Sequence, residues 1–461
     1  MGKQNPSFFN RIPLPVLVGG WLSLVIIGAI LVFVLLVNGA DSGAPTTTPV
    51  AQQAPTSAPA QAPASAPTQP AAPPDQPATQ PAQPEQPAPT PTLPALQEPG
   101  MGFGIQADYI SSPDVDFTQQ AARLRMGWIK QQMRWGVFSP APGQFDWTGF
   151  DRAIDQAVAR GRKVMLSIVT APQWSHPALQ PSQDDPDAMH APPDDLNLYA
   201  EFVAEVVKRY PGKVHAIEVW NEQNIDAEWR AVPQAVSPER YVEMLKLTSQ
   251  AVKAIDPNVM IISGALAPTG FFQGGCSAAG CDDGPYLRRM VELGALDAVD
   301  CVGVHANGYN VPPDKTHTEG FNDPTATFRG PFDNPIPSWY FRSTLELYRD
   351  IVQNQKPLCV TEFGWATTEG FGVTVPGYEF ANDNTLQEQA DWIVQAFQLM
   401  EEWGYIKLAF LFNLNYAQMS PEHAADRTAG WSIMDVDGQG RPAMEALRLY
   451  MKGRAERLGL E

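Results

Sequence analysis

Eight short apolar runs alternate with amphipathic segments along residues 101–461, and this alternation limits the fold more than any other feature. The runs begin at residues 102, 128, 163, 214, 259, 301, 358 and 406. Apolar residues with helical spacing occupy 196–210, 239–255, 343–355 and 388–403 between the runs, and 443–453 after the last one. Strand–helix alternation predicts a parallel sheet with crossover helices, and eight such units close into an α/β fold of the (β/α)8 TIM-barrel type.

An open doubly wound sheet is the alternative architecture. Such a sheet normally carries a Gly-rich phosphate-binding turn after its first strand. The segment GFGIQADYI at 102–110 does not supply a persuasive turn of this kind. The barrel is therefore the preferred prediction.

In a TIM barrel the chemistry lies at the C-terminal ends of the strands. Polar and aromatic residues follow five of the predicted strands: Arg134 and Trp135, Trp174, Asn221 and Glu222, His305, and Glu362 with Trp365. The segment after the sixth strand, roughly 306–337, is long and rich in aromatic residues and proline, and long loops in compact domains are often functional.

Two of these residues, Glu222 in IEVWNEQN and Glu362 in CVTEFGW, form a pair of carboxylates that would face one cleft. Such a pair suits cleavage of a glycosidic bond, in which one carboxylic acid protonates the leaving oxygen and the other carboxylate attacks the anomeric carbon. The environments of the two groups must differ so that one of them stays protonated. We expect Arg134 to keep Glu362 ionised, because a nearby cation favours the charged form of a carboxylate.

The remaining side chains at the strand ends predict carbohydrate binding. Asn221 could hydrogen-bond a sugar hydroxyl next to the scissile bond, and Trp174 and Trp365 could offer flat faces to pyranose rings. A xyloside, a β-glucan, a mannan or an exopolysaccharide would fit the same pair of carboxylates, because specificity lies in the loops.

The motifs VWNEQN (219–224) and VTEFGW (360–365) together resemble the strand-four and strand-seven signatures of clan A glycoside hydrolases. The resemblance is to family 39 and the related cellulase-like family 5, and it covers nearly all of residues 101–461. It implies a TIM barrel and a retaining double displacement, with Glu222 as acid/base and Glu362 as nucleophile. It also implies that Asn221 contacts the substrate 2-hydroxyl, and that Arg134 and His305 line the catalytic subsite.

The sequence departs from the family pattern at two places. The family often has a tyrosine two residues after the strand-six histidine, whereas HANGY places Tyr309 four residues after His305. Strand eight of the family commonly ends near a tryptophan, which FLFNLNY lacks, and Trp431 in GWSIMDVDG is the candidate to replace it. Tyr309 and Trp431 complete the predicted substrate-binding residues.

Other roles are open for several of these residues. Glu218 could be the acid, but it lies four residues before Glu222 and is expected deep in the barrel with a buried, hydrogen-bonded role. His305, Trp135 and Trp365 could serve in packing alone. A catalytically inactive carbohydrate-binding barrel is the alternative function, although such a module usually lacks one of the two carboxylates. No Cys/His grouping has zinc-ligand spacing, and we predict no metal and no cofactor.

The N-terminal region predicts a membrane anchor. Residues 14–37 form a 24-residue stretch without a charged side chain, and a bilayer requires about 20 apolar residues as a helix. Lys3 and Arg11 precede this stretch, and the next basic residue is Arg123. The positive-inside rule then places residues 1–13 in the cytoplasm and the rest of the chain outside it, at the plasma membrane. Cleavage as a signal peptide near NGA (38–40), which would give a secreted protein, is the alternative.

Residues 38–100 predict a disordered linker that separates this anchor from the catalytic domain, residues 101–461. From residue 41 to residue 100 the chain holds 17 of its 45 prolines, together with Ala, Gln, Thr and Ser. Such a composition cannot offset the entropy of ordering by burying apolar surface.

The charge of the chain argues against nucleic acid as a partner. The formal net charge is −19, and two basic and four acidic residues precede residue 100, so residues after it carry −17. A surface this acidic repels phosphate backbones, which leaves a neutral or cationic substrate.

The chain contains four cysteines. Cys276 and Cys281 lie five residues apart in a Gly-rich segment and predict a disulfide in an oxidising compartment. Cys301 and Cys359 each begin an apolar run, and we expect them to pack as small buried hydrophobic residues.

Overall fold

The computed structural model describes residues 100–177, 179, 190–230, 236–319, 336–420 and 422–460. The predicted cytoplasmic tail and membrane span, and the predicted linker up to residue 99, lie outside the described residues. Residues 320–335 of the segment after the sixth strand lie outside them as well. Within the described ranges, no helix has both the length and the apolar character needed to cross a membrane.

A single sheet of eight parallel strands forms the centre of the domain. The strands are β1 Gly102–Gln106, β2 Trp128–Arg134, β3 Lys163–Val169, β4 Val214–Val219, β5 Met260–Ser263, β6 Val302–His305, β7 Leu358–Phe363 and β8 Ile406–Leu411. Neighbours follow the order β5-β4-β3-β2-β1-β8-β7-β6. Parallel bridges from Ile262 to Cys301 and from Leu266 to Val304 bring β5 and β6 together, so the sheet nearly closes into the predicted barrel.

Helices surround the sheet and connect its strands. The α-helices among the described residues are α1 Phe117–Arg123, α2 Trp135–Phe138, α3 Thr148–Ala159, α4 Leu196–Arg209, α5 Pro238–Ile255, α6 Asp283–Glu292, α7 Phe341–Val352, α8 Leu386–Trp403, α9 Tyr416–Met419 and α10 Pro442–Leu458. Short 3-10 helices cover Gln173–Ser175, Ala295–Ala298, Pro337–Trp339, Glu379–Asn382, His423–Ala425 and Ala429–Trp431.

Local sequence explains where the long crossover helices begin. Thr385 and Glu388 form a capping box at the start of α8, in which each side chain bonds the backbone N–H of the other residue. The Ser237 side chain accepts from the Arg240 backbone at the start of α5, and Pro238 takes the first helical position, where its missing N–H costs nothing. The periodic segments therefore start as helices at the positions their caps favour.

The lower interior of the barrel is apolar and tightly filled. Strand residues that include Trp128, Met165, Leu408 and Phe410 pack together there. A Cβ on Gly104 would lie 2.3 Å from the Phe410 ring. The alternating glycines of β1 thus leave space for neighbouring rings in the barrel, which is why GFG is not a phosphate-binding turn.

Two disulfides cross-link the domain. Cys276 pairs with Cys281, as the sequence predicted. Cys301 also pairs with Cys359, and the prediction that these two residues only pack as small hydrophobic side chains is wrong. Both are fully buried at the adjacent starts of β6 and β7, 58 residues apart in the chain. Because only the pairing of β6 with β7 brings them together, sequence spacing could not reveal this bond.

Candidate active site

Glu222 lies just beyond the end of β4, where the backbone turns sharply. Trp220 and Glu222 have φ angles of 74° and 47°, in the left-handed region, and such conformations cost about 1–3 kcal/mol each in residues other than glycine. The surroundings hold this turn in place, since the Glu222 N–H donates to the Ala265 carbonyl at 2.8 Å and Trp220 Nε1 donates to the Glu228 carbonyl at 2.8 Å. The turn directs the Glu222 carboxyl into the top of the barrel.

Glu362 lies on β7 directly beside His305, the last residue of β6. The His305 ring contacts both candidate catalytic carboxyls: Nδ1 lies 2.9 Å from Oε1 of Glu222, and Nε2 lies 3.8 Å from Oε2 of Glu362. The two glutamates that the sequence singled out are therefore brought together, with His305 between them. All three residues are 2% exposed or less.

Lys130 of β2 is the cation closest to Glu362 in the described ion pairs, and sequence reasoning missed it. Its Nζ lies 3.1 Å from Oε1 of Glu362 and 3.0 Å from Oε2 of Glu218, and it donates to the Thr361 carbonyl at 3.1 Å. Lys130 and Glu218 are both fully buried. Glu218 thus has the buried structural role that its depth predicted. A lysine within the predicted strand WIKQQMR, directly after Trp128 and Ile129, was the available signal for this site.

The pKa values of the two glutamates move in opposite directions. Burial raises the pKa of Glu222, the charges of Glu228 and Glu362 add to the rise, and the hydrogen bond with His305 opposes it without cancelling it. Burial alone would also raise the pKa of Glu362. The charges of Lys130 and His305 and the hydrogen bond from Lys130 outweigh burial, so the net result is a lowered pKa.

Charge balance explains why Glu222 can keep its proton. Burial lowers the pKa of His305, but the nearby carboxylates of Glu362 and Glu222 raise it above its ordinary value. Burial likewise lowers the pKa of Lys130, but the charges of Glu218 and Glu362 and their hydrogen bonds raise it above its ordinary value. Two basic side chains thus face three buried carboxyls, those of Glu218, Glu222 and Glu362. Burial disfavours ionisation of all three carboxyls at once, and Glu222 is the one of the catalytic pair whose pKa is raised.

Gln106 and Tyr416 extend the site toward β1 and β8. The Gln106 side chain helps to lower the pKa of Glu362 and donates from Nε2 to the Tyr416 hydroxyl at 2.9 Å. Neither residue was predicted, because Gln106 is an ordinary strand-end polar residue and Tyr416 follows the barrel strand in a separate short helix.

A pocket of about 40 Å³ opens beside Glu222. Tyr309 and Trp431 line it, as expected of substrate-binding residues, together with Asn307, Tyr378 and Phe412. Gly364 allows Trp431 to reach this position, since a Cβ there would lie 2.4 Å from the Phe412 carbonyl oxygen and 3.1 Å from the Trp431 ring. The Trp431 ring lies against Phe412, the residue that follows β8, and its role in place of the strand-eight tryptophan stays a prediction.

Asn221 precedes Glu222 and is 3% exposed. Its Oδ1 has no hydrogen-bond partner among the described residues. A buried amide oxygen without a partner is costly, and a ligand hydroxyl would remove that cost.

The structure corrects the position predicted for Arg134. Arg134 is exposed, and its guanidinium contacts Nε2 of His190 at 3.3 Å rather than Glu362. Lys130 and Arg134 lie on the same face of β2, but four residues separate them, about 13 Å along a strand. Lys130 therefore reaches Glu362 inside the barrel, while Arg134 lies at the rim.

Two predicted sugar-stacking tryptophans do not line the pocket at Glu222. Trp365 is fully buried, donates to the Val311 carbonyl at 2.9 Å, and packs so closely on Gly308 that a Cβ there would meet its ring at 2.0 Å. Trp174 packs edge-on against Trp135 and lines a separate groove beside α4. Both tryptophans follow a strand, but the backbone directs their rings away from the glutamates.

No group of His, Cys, Asp and Glu side chains suited to a metal ion occurs in the described part of the chain.

No family model matches the sequence. Comparison with solved structures gives the same fold in a family 39 glycoside hydrolase from the gut symbiont Bacteroides cellulosilyticus WH2, at 20% identity and a TM-score of 0.53, with 76% of this chain and 62% of that chain covered. A family 39 enzyme from Xanthomonas axonopodis pv. citri matches at 16% identity and a TM-score of 0.51, with coverage of 78% and 68%.

An exo-β-1,4-mannosidase from Opitutaceae bacterium strain TAV5 matches at 17% identity and a TM-score of 0.50, with 77% of this chain and 60% of that chain covered. This chain therefore spans less than two thirds of the length of two of these three proteins. The resemblance to clan A glycoside hydrolases that the two motifs indicated is confirmed at the level of the fold.

Proposed function

We propose that residues 101–461 form a retaining glycoside hydrolase that cleaves β-linked bonds in a poly- or oligosaccharide. The observation that carries the proposal is the pair Glu222 and Glu362, which share His305 as a contact and have oppositely displaced pKa values. One buried carboxyl that keeps its proton beside one that loses it is the arrangement glycoside cleavage requires.

In the first step the Glu362 carboxylate attacks the anomeric carbon while Glu222 gives its proton to the leaving oxygen. The bond to the leaving group breaks as the glycosyl–Glu362 ester forms. In the second step Glu222 takes a proton from water, the resulting oxygen attacks the anomeric carbon, and the ester bond to Glu362 breaks. Two inversions at one carbon give net retention.

The neighbouring residues fit defined roles in this reaction. Lys130 and His305 keep Glu362 ionised and oriented before attack. The unpartnered Oδ1 of Asn221 is available to the substrate 2-hydroxyl, and Tyr309 and Trp431 line the pocket that receives the reacting sugar. A xyloside, a β-glucan or an exopolysaccharide is the proposed substrate class.

The test separates the roles of the two glutamates. Glu362→Ala should nearly abolish turnover, because no glycosyl–enzyme can form. Glu222→Ala should lose about 10²–10⁴-fold on poor leaving groups and much less on activated aryl glycosides. Added azide should restore turnover of the Glu222 variant and give the β-glycosyl azide, since an anion attacks without a general base.

Glu218→Gln is the matched control, because it alters a buried glutamate of the same strand end. It should show no azide rescue. Azide rescue of the Glu218 variant, or an inverted product from the wild type, would contradict the assignment. A wild-type domain that binds β-linked oligosaccharides without hydrolysing any would favour the inactive carbohydrate-binding barrel.

We also propose that the domain is tethered to the plasma membrane by residues 14–37 and lies outside the cytoplasm. The uncharged 24-residue stretch and the basic residues before it support this placement. The two disulfides support it as well, since such bonds persist mainly in oxidising compartments.

A further inference from the structure

We infer that a groove next to the glutamate pair binds additional sugar units, so that the preferred substrate is a chain longer than a disaccharide. This inference rests on the proposed function. The groove has a volume of about 560 Å³ and lies above the ends of β1, β2 and β8. Its lining includes Gln132, Arg134, Val137, Phe138 and Tyr416.

The groove is continuous with the site at the glutamates. Thr428 lines both the groove and the pocket beside Glu222. On the other side, Tyr416 lines the groove, and its hydroxyl accepts from Gln106 at 2.9 Å. Burial raises the pKa of Tyr416, and Glu362 lies close enough for its charge to add to the rise, so the groove wall adjoins the proposed nucleophile.

The volumes favour a chain that extends into the groove. The pocket beside Glu222 offers about 40 Å³, whereas the groove offers about 560 Å³. Sites that hold drug-sized organic ligands range over about 300–1,000 Å³. The groove falls in that range and the pocket beside Glu222 does not, so most of the surface available to a saccharide chain at this end of the barrel lies outside that pocket.

The lining has the mixed character that a pyranose chain recognises. Val137 is 51% exposed, and the half-buried rings of Phe138 and Tyr416 add apolar surface. Gln132 and Arg134 supply hydrogen-bonding groups, and the contact between Arg134 and His190 restrains the guanidinium at the rim. A sugar ring presents apolar C–H faces and hydroxyls on its edges, and this combination complements both kinds of surface.

The experiment uses chain length as its readout. The domain is assayed on 4-nitrophenyl β-D-xyloside, β-D-glucoside and β-D-mannoside, and on the corresponding β-1,4-linked oligosaccharides of two to six units. For the sugar that is hydrolysed, kcat/KM of the wild type should rise about tenfold or more from the shortest to the longest oligosaccharide, because each occupied part of the groove adds binding energy.

Val137→Trp places a large ring in the groove and should reduce that rise by about tenfold. Leu449→Trp is the matched control, since Leu449 is 54% exposed on α10 and does not line the groove. The Leu449→Trp variant should show the same rise of kcat/KM with chain length as the wild type.

The outcomes distinguish the two proposals. Two results would contradict binding in the groove and leave the proposed function in place. One is hydrolysis of an aryl glycoside with no rise of kcat/KM with chain length. The other is a Val137→Trp variant that keeps the full rise. Absence of hydrolysis on every substrate overturns the proposed function. In that case, calorimetric titration with the longest oligosaccharides still tests the groove, through weaker binding to Val137→Trp than to Leu449→Trp.

Discussion

Lys130 shows how one buried side chain sets the protonation of its neighbours. It contacts Glu218 and Glu362 in a fully buried position. A buried ion pair adds little net stability, because desolvation offsets much of the attraction, but removing one partner leaves a costly unpaired charge. We therefore expect Lys130 to act mainly on the charge state of Glu362 and to add little to the stability of the barrel.

Lys130→Met should move the acidic limb of the kcat/KM–pH profile to higher pH. As the proposed nucleophile, Glu362 must be ionised to attack, and we expect its lowered pKa to extend activity to lower pH. Without the cation that pKa rises, and loss of one nearby cation corresponds to about 1–3 pH units. The measurement is the pH dependence of kcat/KM on an activated aryl glycoside, which reports groups of the free enzyme.

Arg134→Met is the matched control, because it removes a cation from the same face of β2 but at the rim. It should leave the acidic limb in place. If Lys130→Met does not fold, the double variant Lys130→Met/Glu218→Gln is measured in its place. It removes one of the two buried carboxylates that the loss of Lys130 leaves unpaired. An acidic limb that stays at the wild-type pH in the folded variant would show that Lys130 does not control Glu362.

At the scale of elements, the pairing of β6 with β7 organises both the site and the cross-link. His305 and Glu362 are register partners at the upper end of this pair, and the Cys301–Cys359 bond joins its lower end. Between β5 and β6 the described strand pairing consists of isolated bridges, and the Gly303 N–H donates to Ser263 Oγ at 3.0 Å. The Cys301–Cys359 bond adds a covalent link to β7 at the start of the strand that carries His305.

The two disulfides should differ in what they contribute to stability. In the chain-entropy account, a bond that closes a loop of 58 residues is worth about 4 kcal/mol, and one that closes a loop of 5 residues is worth about 2 kcal/mol. Replacement of both Cys301 and Cys359 by alanine should thus lower the free energy of unfolding about twice as much as replacement of Cys276 and Cys281. Urea unfolding of the isolated domain measures both values. Equal losses, or a larger loss for the short loop, would contradict the entropic account for this domain.

At the scale of the whole molecule, charge and anchoring together suggest how the domain meets its substrate. Residues from 100 onward carry −17 of the formal charge. An acidic surface is repelled by anionic lipid and by nucleic acid. For a domain tethered through residues 14–37 as proposed, we expect the substrate to be a neutral polymer near the membrane.

The full chain provides the test of this topology. Protease added to intact spheroplasts that produce residues 1–461 should release the barrel domain, by cleavage in the Pro-rich linker. A variant with Lys3 and Arg11 both replaced by glutamine serves as a control for orientation, and a part of its population should become protected. Full protection of the wild-type domain would contradict the proposed placement outside the cytoplasm.

The sequence by itself determined the barrel and the two glutamates. Apolar runs and period-3.6 patterns are local, so the eight strands and the long helices can be predicted from neighbouring residues alone. Glu222 and Glu362 could be predicted because a carboxylate at the end of a buried strand conflicts with local preference, and because parallel strands in a barrel bring their C-terminal ends to one face.

Only the tertiary structure decided which side chains surround that pair. Lys130 rather than Arg134 meets Glu362, because depth along a strand decides contact once the side chains share a face. Trp431 reaches the pocket while Trp365 is fully buried, because the packing around Gly364 and Gly308 decides where each ring goes. The Cys301–Cys359 bond likewise depends on strands that are distant in the chain. These features depend on contacts between residues that are far apart in the chain, and no local pattern of residues encodes them.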